Sequence, residues 1–542
     1  MKADLIIKGG TLFMKKGSVA ENGYVAVKGN KIIKTGAGSC ESLAGENTKI
    51  IDAGKGRFVM PGIHDNHIHL VLSGLCEKHL SLDGMDSQRE ALEAIENHAK
   101  TLGADEWVIG LGYNNHPWKD AKHPVKKALD EVTGGRPAFF IDSELHSAWV
   151  NGRALELAGI TKDTPDPRYG IIERGENGEP SGYLHELALV MVGKIAFDFS
   201  EKARRELIDI YMKTAGGWGI TSASDMTPYL GFDLSFPDTF FDMAEKGELT
   251  VRINSARNLY EDIEKYLEMK ERYGRSETGM YSILYMKQFL DGVIGNYTAM
   301  MLDPYTTRPD FAGEGLFETD KLEKAVDAAH RNNVAVRLHA CGDGAVRAGL
   351  DAYEKAIKKH GKSKMRHMIE HIEVIDPADI KRFRELDVIA SVQPEHIISG
   401  MSGFEVNEYP AFLGAERERL TWAFKTLHEA GAVLAFGSDT PVVEGNPFMG
   451  MYVALTRLHP DKTPEGGWNP QEILPMDDIL AAYTEGAAYA EGKENELGVL
   501  EEGKLADIII VDRNLLAESA ERVRDAKVLC TMVDGKIIFN KL

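Results

Sequence analysis

The sequence predicts an α/β chain: a (β/α)8 TIM barrel, a small β-sandwich domain formed by both chain ends, and a long insertion after the first barrel strand. Three observations carry this. The middle of the chain alternates short apolar strands with helical stretches, as the βαβ units of a parallel sheet do. The two ends are both β-rich and resemble each other. Imidazole and carboxylate residues recur at the C-terminal ends of the proposed strands, which form the catalytic face of such a barrel.

At the N-terminus, Leu5-Ile6-Ile7-Lys8-Gly9-Gly10-Thr11-Leu12 precedes Tyr24-Val25-Ala26-Val27-Lys28-Gly29-Asn30-Lys31-Ile32-Ile33. At the C-terminus, Ala506-Asp507-Ile508-Ile509-Ile510-Val511 precedes Thr531-Met532-Val533-Asp534-Gly535-Lys536-Ile537-Ile538. Gly, Asn and Asp punctuate both, so Lys28–Ile32 and Val533–Ile537 read as tight hairpins. Residues 1–61 and 491–542 are therefore expected to form one composite β-sandwich around the inserted barrel, residues 62–490.

The eight barrel strands are expected at Val59–Asp65, Thr221–Met226, Thr250–Asn254, Ser282–Phe289, Val334–His339, Arg366–His371, Val388–Gln393 and Val433–Asp439. The stretch 75–215 is too long for one crossover and carries its own candidate strand, Pro137–Asp142. It reads as an insertion over the barrel mouth.

With 43% hydrophobic and 27% charged residues, the 542-residue composition is that of a soluble globular protein with a sizeable core. The formal charge of -21 repels phosphate backbones and anionic lipid, so no nucleic acid and no membrane partner is expected. Cys40, Cys76, Cys341 and Cys530 are scattered, which fits a reducing compartment and no thiolate zinc site. No signal-peptide pattern opens the chain and no apolar run reaches membrane-spanning length, so a cytoplasmic protein is expected. The sequence leaves a homo-oligomer open.

The chemistry sits at the strand ends. His67-Ile68-His69 follows the first strand, and residues two apart in extended chain project to one side. Lys287 lies on the fourth strand, His339 ends the fifth, His371 the sixth and Asp439 the eighth. Singly, each reads as an ordinary polar residue, and Asp439 before Thr-Pro reads as a turn or cap. A merely structural set, however, does not predict this shared register.

Val59-Met60-Pro61-Gly62-Ile63-His64-Asp65-Asn66-His67-Ile68-His69 resembles the Pro-Gly-(hydrophobic)-x-Asp-x-His-x-His signature of the amidohydrolase superfamily. Gly437-Ser438-Asp439 resembles its strand-eight motif, and Leu497 to Asp507 resembles its return into the β-domain. The chain also resembles the branch that contains N-substituted formamide deformylase. Its marks are His146-Ser147-Ala148-Trp149, Lys287-Gln288-Phe289-Leu290-Asp291-Gly292, His339-Ala340-Cys341-Gly342-Asp343, Ile369-Glu370-His371 and Ser391-Val392-Gln393-Pro394. One departure is that Asp142-Ser143-Glu144-Leu145 stands where the branch has Asp-Gly before His146.

The resemblance implies two zinc ions. His67, His69 and Asp439 would hold the more buried one, and His339 with His371 the other. A free ammonium beside a dication is repelled, and the family's remedy is a carboxylated lysine, here Lys287, bridging the two. Water bound there ionises near neutral pH. Asp439 would serve as general base and then acid, and His146 would stabilise the oxyanion. Glu186 could face the site, although a solvated glutamate at a helix start is the blander reading. Trp107, Tyr113, His116 and Trp118 are pocket candidates, although irregularly spaced aromatics are more often core.

The expected activity is hydrolysis of a non-peptide C–N bond in a small N-acyl or N-formyl amide. A mononuclear deaminase of a heterocycle, and a catalytically silent binding or regulatory protein, stand as alternatives. Lys287 separates the first two, because a mononuclear site needs no bridge.

Overall fold

The computed structural model describes residues 1–104, 106–115, 118–119, 124–143, 147–226, 234–399 and 409–542. The chain divides into two compact units, one of residues 1–68, 212–226 and 240–542, the other of 69–211 and 227–239.

The first unit holds an eight-stranded sheet of β1 (Ile63–Ile68), β2 (Ile220–Asp225), β3 (Arg252–Asn258), β4 (Tyr281–Phe289), β5 (Ala335–Ala340), β6 (Met368–His371), β7 (Ile389–Val392) and β8 (Leu434–Phe436). Each strand pairs in parallel with the next in sequence, which gives the spatial order of a (β/α)8 barrel. The ring is nearly closed. β8 meets β1 through the residues just beyond it: Asp439 N donates to His67 O at 2.7 Å, and Ser438 donates to Asp65 from its N at 2.8 Å and its Oγ at 2.6 Å. Gly437 allows this approach, since a Cβ there would lie 2.5 Å from His67 N.

The first barrel strand differs from expectation. The run Val59–Asp65 is two strands split at Gly62: Phe58–Pro61 joins the end sheet, and β1 begins at Ile63. The cause is steric. A Cβ at Gly62 would lie 2.2 Å from Thr221 Oγ1 on β2, so only glycine lets the chain pass there and change sheets. Gly62 N donates to Asp507 O at 3.0 Å, tying the turn to the C-terminal segment.

Strands from both chain ends form two further sheets. One orders Lys31–Ala37, Gly23–Lys28, Leu5–Lys8 and Lys49–Asp52; the other orders Lys536–Asn540, Val528–Val533, Ile508–Val511, Phe58–Pro61, Thr11–Lys15 and Ser18–Glu21. Leu5, Ile7, Val25 and Val27 of the first share one core with Leu12, Val59, Ile508, Ile510 and Met532 of the second. These are the alternating apolar positions of each strand, so the sheets pack as a sandwich. The hairpins turn where expected, with Lys28 opposite Lys31 and Val533 opposite Lys536. Arg252, buried at the start of β3, donates to Asp507 Oδ2 at 2.8 Å and to Asp534 Oδ1 at 2.9 Å, which anchors the sandwich beneath the barrel.

The second unit carries its own six-stranded mixed sheet, in which Ala138–Asp142 pairs with Val108–Tyr113 and with Ser147–Val150. Tyr113 and Trp118 pack on the Trp149 ring at 6.1 and 6.0 Å and belong to this unit's core. Trp107 is half-buried. Glu186 ends the strand Pro180–Glu186 rather than starting a helix.

Candidate metal centre

β1, β5, β6 and the chain beyond β8 deliver His67, His339, His371 and Asp439 to one end of the barrel, and all four are buried. Ligand atoms of His67, His69 and Asp439 lie within 4.8 Å of one another, as do those of His371, His396 and Asp439. His67 Nε2 stands 3.4 Å from Asp439 Oδ1, and His371 Nδ1 stands 3.9 Å from Asp439 Oδ2. The His67 and His371 rings are 5.0 Å apart, and those of His371 and His339 are 4.4 Å apart. His339 has its Nδ1 3.3 Å from Asp291 Oδ1 and its Nε2 3.7 Å from Cys341 Sγ.

Lys287 lies on β4 and is buried, and among the described residues its Nζ has no hydrogen-bond partner. Burial, with Arg337 nearby, pulls its ammonium down to about 8 despite Glu370 and Asp439. An amine in this state is partly neutral near physiological pH, as carboxylation requires. His146, expected to bind the oxyanion, and the pocket candidate His116 lie outside the described residues.

A second set of buried groups fixes the ligands. His67 Nδ1 donates to Glu370 Oε2 at 2.6 Å. Glu370 in turn accepts from Arg337 Nε at 2.6 Å, and Arg337 Nη2 donates to Asn66 O at 2.6 Å and to Ser391 Oγ at 3.0 Å. One guanidinium on β5 thus ties β1, β6 and β7 together. Burial opposes the Glu370 charge, but Arg337 and His67 outweigh it and hold the carboxyl well below its ordinary value. The ionised carboxylate makes His67 carry its proton on Nδ1, which leaves the Nε2 lone pair facing Asp439. Burial and the Lys287 charge hold the His67 imidazolium down to about 3, so the ring is neutral, as a metal ligand must be.

Buried imidazoles, of which His67 and His371 are held neutral, a carboxylate and the buried Lys287 amine form a donor set that fits a divalent cation of the zinc type. The family model for the amidohydrolase family matches residues 49–539. The chain belongs to the amidohydrolase family. This amidohydrolase is 30% identical to Protein LONG AFTER FAR-RED 3 of Arabidopsis thaliana, over 99% of this chain and 92% of the relative. It is 24% identical to N-substituted formamide deformylase of Arthrobacter pascens, over 96% and 94% of the two chains. A solved structure of an uncharacterized metal-dependent hydrolase from Pyrococcus horikoshii OT3 has the same fold, with a TM-score of 0.78 at 24% identity, covering 95% of this chain and 99% of that one.

The amidohydrolase is thus a metal-dependent hydrolase by family, and its barrel carries buried His and Asp groups that could hold a metal ion. Among the described residues no helix is long and apolar enough to cross a membrane. Sequence reasoning gave no role to His396, Glu370 or Arg337, although Glu370 falls within the family mark Ile369-Glu370-His371. His396 follows Gln393-Pro394 by two residues, at the same end of the barrel as the other strand-end residues, and that position is the signal that could have found it. Glu370 precedes His371, and strand alternation would turn it away from the site. A left-handed backbone at His371, with φ of 71°, breaks that alternation and lets both side chains face inward.

Proposed function

We propose that this amidohydrolase cleaves the C–N bond of a small, non-peptide N-acyl or N-formyl amide, using two zinc ions and a carboxylated Lys287. The observation that carries the reading is the buried arrangement of His67, His69 and Asp439 with Glu370 holding the outer nitrogen of His67.

His67, His69 and Asp439 would hold one cation, with Lys287 as the anionic bridge to its neighbour. When bound, such a cation supplies Lewis acidity toward the scissile carbonyl and brings the ionisation of water near neutral pH. The chain's own groups do the rest. Asp439 takes the proton from the attacking water and returns it to the departing nitrogen, which leaves as an amine. Glu370 and Arg337 keep His67 in the tautomer that presents Nε2. The relationship to N-substituted formamide deformylase supports the choice of an N-acyl substrate.

The test combines metal counting with a substrate panel. Protein purified with its own metals should contain two zinc ions per chain, mass spectrometry should show a carbon dioxide adduct on Lys287, and formamides and acylated amines should be turned over. Lys287→Ala should lose activity and the bridge. A single tightly held ion with Lys287→Ala still active would favour a mononuclear deaminase. Full metal occupancy without turnover across amides, esters and heterocycles would favour a silent binding or regulatory protein.

A further inference from the structure

Phe289 ends β4 two residues after Lys287, so the two side chains leave the strand on one face. The Phe289 ring stands 5.2 Å from Lys287 Nζ and 4.9 Å from the His339 ring. The His339 ring is 4.4 Å from that of His371, which is 5.0 Å from that of His67. The rings thus follow one another across the centre as three imidazoles with a phenyl at the end of the row. Phe289 is half-buried at the catalytic end of its strand, so part of this apolar ring is presented there.

The backbone that carries the ring is held from several sides. Phe289 pairs with His339 in the register of β4 and β5, and Leu290 N donates to His339 O at 3.0 Å. Phe289 N donates to Gln288 Oε1 at 2.7 Å. Two residues on, the buried Asp291 accepts from Cys341 N at 3.0 Å, Gly342 N at 2.8 Å and Met300 N at 2.9 Å. The end of β4 is thereby tied to the end of β5 and to the chain at Met300. A side chain on a paired strand keeps its place more closely than one on a loop.

We propose that Phe289 is the specificity-determining wall on the acyl side of the centre, and that it restricts the acyl group of the substrate to formyl or acetyl. This rests on the reading that the site cleaves N-acyl amides. With the carbonyl carbon before His339 and His371, the acyl substituent runs toward the phenyl end of the row and the nitrogen faces away from it. Each methylene beyond acetyl must displace a ring on a fixed backbone, at a cost of about 10–200-fold in kcat/KM.

Wild type, Phe289→Ala and Phe289→Leu, each purified with its own metals, are compared on an N-alkyl acetamide and the butyramide of the same amine, whose amide bonds differ little in intrinsic reactivity. The wild type should favour the acetamide by about 100-fold or more in kcat/KM, and Phe289→Ala should narrow that preference by about tenfold or more, Phe289→Leu by less. An unchanged preference in Phe289→Ala overturns the wall and leaves amide cleavage standing. Isothermal titration calorimetry with acetate and butyrate, which share the acyl shape, reads the wall without turnover. The wild type should bind acetate more tightly by about tenfold or more, and Phe289→Ala should bind the two alike. If neither amide is cleaved, the amide reading fails by itself and the carboxylates decide the wall; equal binding of both by the wild type overturns it. Inductively coupled plasma mass spectrometry and far-UV circular dichroism follow metal and fold in each variant. Loss of metal from both variants would make the ring a support for His339 and overturn its role as a filter.

Discussion

Glu370 accepts the Nδ1 proton of His67 across 2.6 Å and so decides which nitrogen of that ring is left to bind a cation. The two residues are 303 positions apart in sequence, on the sixth and first strands of the barrel. Replacing Glu370 with glutamine keeps the shape but removes the charge that holds the tautomer. Glu370→Gln should weaken zinc binding by about 10–100-fold, the usual cost of losing such an outer partner. Competition against a chromophoric chelator measures it, and unchanged affinity would show that Glu370 serves packing alone.

Asp439 is assigned two duties, ligation and proton transfer. Asp439→Asn retains an oxygen donor but cannot shuttle a proton. The variant should keep measurable metal while kcat falls by about 10²–10⁴-fold. Loss of metal with full activity per remaining ion would contradict the proton-transfer role.

The Gly62 crossing predicts a specific rescue. Gly62→Ala drives a methyl into Thr221 and should destabilise the fold by about 1–3 kcal/mol. Adding Thr221→Gly clears the space, so the double variant should recover part of that loss. Urea unfolding of the three variants tests it; strictly additive losses would mean the clash is relieved by other movement.

Acid should weaken the barrel through a buried histidine pair remote from the metal centre. His367 Nδ1 accepts from Val336 N at 3.1 Å, so its other nitrogen donates to His330 Nδ1 at 2.8 Å, and His330 passes a proton on to Gly361 O at 2.8 Å. Burial and the neighbouring His330 push His367 from 6.5 down to about 3, so the folded chain holds it neutral. The unfolded state takes up the proton first, so this stabilisation is complete above about pH 6.5 and is lost as pH falls from there toward 3. By pH 5 the loss should reach about 2 kcal/mol. The pH dependence of urea unfolding, wild type minus His367→Gln, measures it; a flat difference between pH 5 and 7 would refute the assignment.

Much of the architecture was legible in the sequence because barrel strands are short apolar runs closed by polar residues, and that pattern survives without knowledge of contacts. Lys287, His371 and Asp439 sit where strand counting puts them. The first strand was misjudged because Val59–Asp65 is one continuous apolar-rich run, and its break depends on Gly62 meeting Thr221, a contact across 159 residues. The roles of Arg337 and Glu370 were hidden for a related reason. A charged residue in a strand reads as solvent-facing until its partner is known, and here both partners are buried in the barrel interior. His396 lies beyond the end of the seventh strand, in the short helix His396–Ser399, where strand counting gives no signal.

The seam between the last and first strands has a mechanical consequence. The backbone of Asp439 donates to the backbone of His67, while their side chains are the candidate grips on a cation. Whatever tugs on the ion therefore tugs on the hoop itself, and whatever springs the hoop scatters the grips. Filling the centre would lock the barrel shut, and emptying it would make this joint the first place where amide protons exchange with solvent.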